Sequence, residues 1–189
     1  TILLFIGFFL YIVSLLAVEL TEEKELSSLP QEFIVGTYNI HYGFDEQWHY
    51  RLQDMAKVIQ ESGAGIVFLQ EVDEGRSTSY SNGMATYLAH ELGMEAVFLP
   101  CIESSTGIAL LYQYKLAQDI PIVAELVDSK EEQTGIISVV METPEKNIQF
   151  STAWLGLSQE ERERQIKHIF SEYITDTTRA HCFGGDFNL

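Results

Sequence analysis

Residues 2–18, "ILLFIGFFLYIVSLLAV", carry no charge, and the hydrophobic pattern changes abruptly after them. At 1.5 Å per residue, this run with its neighbours covers roughly 27–30 Å, about one bilayer core. An apolar surface on every side predicts a transmembrane helix over 1–20 rather than a core helix, and a signal peptide would have a shorter apolar centre behind a basic start. The acidic stretch that follows, interrupted by Pro30, predicts a linker over 21–32. Lys and Arg are scarce on this flank, which places the remainder on the extracytoplasmic side of a membrane.

From residue 33 the pattern alternates between strand and helix. "FIVGTYNI" (33–40) is β-branched and aromatic and predicts a strand. Leu52, Met55, Ala56 and Ile59 recur at helical spacing within 49–62, and Gly63 follows as a stop. "GIVFLQ" (65–70) is a buried-strand run, and Met84, Leu88 and Leu92 share one face of a second helix closed by Gly93. Strands are predicted at about 95–100, 107–114, 120–127, 135–142 and 147–155. Ser158 and Glu161 then form a capping-box pattern before a helix whose apolar face is Ile166, Ile169, Phe170, Tyr173 and Ile174. "AHCFGG" (180–185) is a last strand leading into Asp186. An early βαβα followed by consecutive strands is not a doubly wound pattern. It predicts an α/β sandwich with helices outside and a mixed or antiparallel interior.

Charge narrows the functional classes. With 28 acidic and 11 basic side chains, the 189-residue chain has a net charge of −17. Such a surface disfavours nucleic acid, whose binding relies on Lys and Arg releasing counterions. An anionic small substrate stays open, because a bound divalent cation inverts the field locally. Cys101 and Cys182 lack metal-ligand spacing, and spacing leaves both a disulfide and two thiols open.

Three polar clusters stand where apolar strands end: "TYNIHYG" (37–43), "LQEV" (69–72) and "GGDFN" (184–188). Strand alternation puts Thr37 and Asn39 on one face, and likewise Asp186 and Asn188. Each cluster alone reads as a turn. Together Asn39, Glu71, Asp186 and Asn188 supply oxygen donors of the kind suited to Mg2+ or Mn2+.

With "GIALL" and the "LG…ER…Q" stretch, these motifs follow one another as in the endonuclease/exonuclease/phosphatase superfamily, which residues 33–189 resemble. The resemblance implies a four-layer sandwich of two packed mixed sheets flanked by helices, with its C-terminal part missing. It implies a metal-dependent phosphodiesterase or phosphatase, with Glu71 as the principal metal ligand and Asn39 beside it on metal and phosphate. Asp186 and Asn188 resemble the pair that orients the nucleophilic water and contacts the scissile phosphate. The wording "GTYNIHYGFDE" and "EVDEGRSTS", behind a membrane helix, resembles a membrane-attached branch that includes the domain linked to GPI-lipid remodelling. The expected substrate is then a lipid head group or small phosphate.

The chain departs from that pattern at three places. Trp154 stands where the resemblance implies a phosphate-binding His; its indole can donate a hydrogen bond but carries no titratable proton. Tyr112 and Gln113 replace a Ser-Arg pair after "GIALL", and Gly65 replaces an Asp. A catalytic Asp-His pair is implied beyond Leu189, so the chain is expected to be a fragment, inactive alone. None of the five histidines substitutes for that base: His41 is expected in a polar loop, His49, His90 and His168 on helices, and His181 packed in the last strand. The alternative expectation is a degenerate, membrane-tethered domain that binds without catalysis.

Overall fold

The computed structural model describes residues 26–127, 129 and 134–189. The predicted transmembrane helix and the first part of the linker lie outside them. Among the described residues no helix is long and apolar enough to cross a membrane.

Among the described residues eight strands form two four-stranded sheets. In the first, β1 (Val35–Asn39), β2 (Ile66–Asp73), β3 (Glu95–Ile102) and β4 (Thr106–Tyr112) have the order β1-β2-β4-β3. β1 and β2 are parallel, whereas β4 runs antiparallel to both of its neighbours. In the second, β5 (Val123–Val127), β6 (Thr134–Met141), β7 (Ile148–Trp154) and β8 (Ala180–Asp186) lie in sequence order. Here only β7 and β8 are parallel.

Three α-helices among the described residues cover the outside: α1 (Leu52–Ser62), α2 (Met84–Leu92) and α3 (Gln159–Glu172). Strand alternation sorts the core into layers. Val67, Leu69, Ala109 and Leu111 face α1 and α2, meeting Met55, Ile59 and Leu88. Ile66, Phe68, Ile108 and Leu110 face the other sheet, meeting Ile137, Val139, Phe150 and Trp154. Ile136, Ala153 and Leu155 turn outward to Ile169 of α3. The result is the four-layer sandwich implied by the resemblance, helix on sheet on sheet on helix.

Caps position the helices. Gly63 and Gly93 end α1 and α2 in left-handed backbone, at φ 68° and 61°. The start of α2 is capped from a distance: Glu74 Oε1 accepts from the main-chain N–H groups of Ala85 (2.6 Å) and Thr86 (3.3 Å). Burial pushes the Glu74 carboxyl above its ordinary range, although these N–H donors oppose the shift. At α3 the Ser158 hydroxyl accepts from the Glu161 N–H at 3.4 Å, one half of the expected box. The Glu161 side chain turns instead to Ser129 and Arg164.

Two expectations are corrected. α1 begins at Leu52, so His49 lies in the preceding hairpin and pairs with Asp45 at 3.3 Å. Phe170 is half exposed rather than part of the covered face of α3. The predicted linker is docked over its last part: Leu29 is buried and its N–H donates to Glu142 O, while Ser27 O accepts from the Lys115 N–H. Cys101 and Cys182 are both free thiols, and burial pushes Cys101 up to about 12.

Candidate active site

The C-terminal ends of β1, β2 and β8 converge at one pole of the sandwich. Asn39 is the last residue of β1, and its Nδ2 donates to Glu71 Oε1 and to Asp186 Oδ2, both at 2.9 Å. One amide nitrogen thereby joins two carboxylates from two different sheets. The orientation of the amide follows from its other end, where Asn39 Oδ1 accepts from the His41 N–H at 3.0 Å.

Glu71 reaches this point through a β-bulge. Leu69 pairs with Ala109 and Val72 with Gly107, so β2 carries one residue more than β4 across the step. Glu71 sits there in left-handed backbone at φ 53°. The extra residue returns Val72 to the helix-facing layer and re-aims the Glu71 carboxylate. Holding a non-glycine residue in this region costs about 1–3 kcal/mol, and such strain clusters at functional sites.

The two glycines before Asp186 have separate steric causes. Gly185 has φ 141°, and a Cβ there would run into the Ala153 carbonyl oxygen of β7. A Cβ on Gly184 would press on the Phe68 ring at 3.0 Å. Only a bare backbone brings β8 this close to β7 and β2, which puts Asp186 opposite Trp154 in register. Beyond the strand Asn188 turns back at φ 50°, its N–H donating to Asp186 Oδ1 at 3.0 Å and its Nδ2 to Leu155 O at 2.7 Å.

Thus the structure brings Asn39, Glu71 and Asp186 together. It gives the Asn188 main chain to Asp186 and the Asn188 amide to the end of β7. Trp154 is 6% exposed and packs in the inter-sheet core, its indole making no hydrogen bond to another described residue. His41 touches the site through its main chain, while its ring lies against Trp48 with centroids 4.9 Å apart. His181 Nε2 is 3.1 Å from Ser151 Oγ, and burial with the nearby Arg179 charge lowers its pKa.

Two departures noted in the sequence fall at the other pole. Because β4 is antiparallel to β2, Tyr112 pairs with Ile66 at the start of β2, far along the strand from Glu71. Gly65 lies at that same end, where a Cβ would strike the Tyr114 hydroxyl and approach Gln113 Nε2 at 2.6 Å. Tyr112, Gln113 and Gly65 therefore repack one remote corner together. They lend no support to a weakened site; Trp154 is the departure at the site pole.

Sequence reasoning missed Gln70. It is 1% exposed between the sheets, one residue before Glu71. Its amide lies 3.4–3.5 Å from the hydroxyls of Thr37 on β1 and Thr152 on β7. A buried amide in an apolar layer needs such partners, and these tie β2 to β1, which carries Asn39, and to β7, the neighbour of the strand that carries Asp186. The signal for it is a Gln at an inward strand position beside the Glu.

The chemistry of the donor set fits a hard divalent ion. Glu71 and Asp186 face one N–H2 group, and the second Glu71 oxygen accepts no hydrogen bond from another described residue. Among the described residues no group of three or more His, Cys, Asp or Glu side chains converges, so the two carboxylates are the set available, and Asn39, expected as a further ligand, turns its amide oxygen to the His41 N–H.

Comparison with known proteins agrees with this architecture. Among solved structures, humanized zebrafish (D. rerio) TDP2 aligns with a TM-score of 0.60 at 14% identity, covering 81% of this chain and 61% of that one. ANGEL2, described as a 2',3'-cyclic phosphatase, aligns at 0.64 and 14% identity, covering 88% and 57%. A Bacteroides thetaiotaomicron mannosyl-6-phosphatase aligns at 0.63 and 12% identity, covering 84% and 66%. At such identities the likeness establishes the endonuclease/exonuclease/phosphatase fold, and the chain spans about half to two thirds of the length of these structures. No curated protein matches the chain by sequence. Residues 30–185, most of the chain and all of its strands but the last residue of β8, match the family described as "PGAP2IP, C-terminal nuclease-like domain", and the chain belongs to that family.

Proposed function

We propose that this domain hydrolyses a phosphoester with a divalent ion, Mg2+ or Mn2+, held by the Glu71 and Asp186 carboxylates that Asn39 orients. The observation that carries the reading is the Asn39 amide donating to both carboxylates at 2.9 Å. Two carboxylates gathered this closely repel one another, and a cation relieves that repulsion. When bound, such an ion polarises a phosphoryl oxygen and lowers the pKa of a coordinated water.

The protein groups have separable tasks in this reading. Asn39 holds the two carboxylates in a common orientation, and His41 fixes the Asn39 amide. Asp186 orients the attacking water, with its second oxygen anchored by the Asn188 N–H. Asn188 has one Nδ2 hydrogen committed to Leu155 O, which leaves the other for a phosphate oxygen. Trp154, next to Asp186 in register, would meet the phosphate only through its indole N–H.

For the substrate we favour a small phosphate or a lipid head group over nucleic acid. The net charge of −17 supports this, as do structural neighbours described as a cyclic phosphatase and a sugar phosphatase. Another neighbour, TDP2, has been solved with a single-strand DNA product, so nucleic acid remains the contrasting substrate in the test. A membrane tether through residues 1–20, with the domain extracytoplasmic, belongs to the same proposal and rests on the apolar run alone. The test is a Mn2+ titration of the full-length protein carrying this domain, with hydrolysis of a generic phosphodiester followed in parallel. Metal-dependent turnover supports the reading; metal binding without turnover favours a second one.

That second reading is a tethered domain that binds phosphate without cleaving it. The observation favouring it is Trp154, a buried indole in place of the titratable imidazole implied by the resemblance.

A further inference from the structure

The geometry points to a sugar-binding platform, built from Trp48 and Tyr80, beside the site described above. The proposal rests on the phosphoesterase reading and narrows its substrate to a phosphoester bearing a neutral sugar ring. The hairpin from Phe44 to Tyr50 leaves the end of β1 directly after the His41–Gly43 turn. His41 is bonded to Asn39 through its N–H, and its ring is 4.9 Å from that of Trp48. Further rings continue the surface: Trp48 to Phe44 at 5.9 Å, Phe44 to Tyr80 at 6.4 Å, and Tyr80 to Tyr50 at 5.1 Å. The platform thus begins one ring away from a residue that holds the site.

Two of these rings are turned to solvent at a cost. Trp48 is 65% exposed and Tyr80 68%, and both belong to none of the core clusters. Both residues occupy left-handed backbone, at φ 63° and 62°. For bulky side chains that conformation is rare, and it is retained where the surroundings enforce it. Here Asn82 Nδ2 donates to the Tyr50 hydroxyl at 2.9 Å, and the Phe44–Tyr50 pair closes the hairpin.

The chemistry of the rim selects the occupant. Aromatic faces carry the negative part of a quadrupole and attract the C–H face of a sugar ring. Glu46 and Gln47 on the same hairpin offer acceptors for hydroxyl groups. Nearby cations are already paired, Arg51 with Asp45 (3.3 Å) and Asp54 (3.7 Å), and Arg76 with Glu103 (2.8 Å). A nucleotide strand would need such cations free. A quaternary ammonium would need a gap between rings, and Phe44, Tyr50 and Tyr80 fill one another's gaps at 5.1–6.4 Å.

A bilayer fits less well. The chain enters the domain at the opposite pole, where Ser27 pairs with Tyr114 beyond the end of β4. The eight residues of β2 separate the poles by about 23 Å. The platform lies at the pole away from this point of entry.

The probe is methyl α-glucopyranoside, which has no phosphate, titrated into the millimolar range against tryptophan fluorescence. The chain has two tryptophans, and Trp154 is buried, so Trp48 provides the environment-sensitive signal. We expect a saturable change that Trp48→Phe removes as a signal. By NMR of the ligand, binding should weaken about tenfold in Trp48→Ala and in Tyr80→Ala, and persist in Glu71→Gln. Binding that is absent in the wild type, or unchanged in both alanine variants, overturns the proposal. A blue shift with phosphatidylcholine vesicles but not with the sugar assigns the rings to a bilayer and also overturns it. Loss of Mn2+ binding and turnover bears on the phosphoesterase reading alone, since the sugar titration needs neither.

Discussion

Asn39 and Asp186 stand 147 positions apart in the chain and meet at 2.9 Å, each at the end of its own strand in its own sheet. That contact, with Glu71 on the same amide nitrogen, closes the two sheets over one pole. It concentrates oxygen donors where the parallel strands end.

The bulge at Glu71 trades stability for geometry. Glu71→Gly, which accepts φ 53° without strain, should be more stable than Glu71→Ala by about 1 kcal/mol in urea unfolding. Equal stability of the two variants would mean that the left-handed conformation carries no cost here.

Gly185→Ala should be severe. The substitution combines φ 141° with a collision against the Ala153 carbonyl oxygen, so β8 must move away from β7. A loss of about 3 kcal/mol or more, with weaker Mn2+ binding as Asp186 shifts, is the expected outcome of calorimetry and titration. A variant with wild-type Tm would contradict the close approach of the two strands.

Much of this was legible in the sequence. The eight strands and three helices follow from period-2 and helical patterns, and Asn39, Glu71 and Asp186 are visible as polar residues ending apolar strands. Less legible was the bulge, because a Glu in left-handed backbone has no sequence signature and Gln70–Glu71 looks like an ordinary strand end. Nor does alternation reveal which way a strand runs. The antiparallel direction of β4 is what moves Tyr112 and Gln113 to the far pole, and that depends on pairing with β2. The hairpin around Trp48 was hidden for a related reason, since helical spacing from Leu52 extends backwards over residues that fold as a turn.

Acid should destabilise the domain through His181. Burial and the Arg179 charge hold its folded pKa below the ordinary 6.5. A lowered folded pKa means that the unfolded chain binds the proton more readily, so stability is fully present above pH 6.5 and declines as pH falls through the folded pKa. Urea midpoints measured downward from pH 7 should show this decline, and His181→Gln should flatten it. An unchanged slope in the variant would assign the loss to other groups.

Trp154→His tests the second functional reading. Removing the indole from the inter-sheet core should cost about 3 kcal/mol. Phosphodiester turnover per folded molecule should nonetheless rise, with Mn2+ affinity unchanged. Constant turnover would show that this position does not limit the reaction.

The most direct test is Mn2+ binding, followed by electron paramagnetic resonance, in the wild type and in Glu71→Gln. Gln keeps the shape of the side chain and removes the charge that the proposed ion would neutralise. The account predicts saturable binding to the wild type and a loss of affinity of about a hundredfold in the variant, with the circular dichroism spectrum unchanged. Equal affinity in both proteins would remove Glu71 from any metal site and contradict the reading built on the Asn39 bridge.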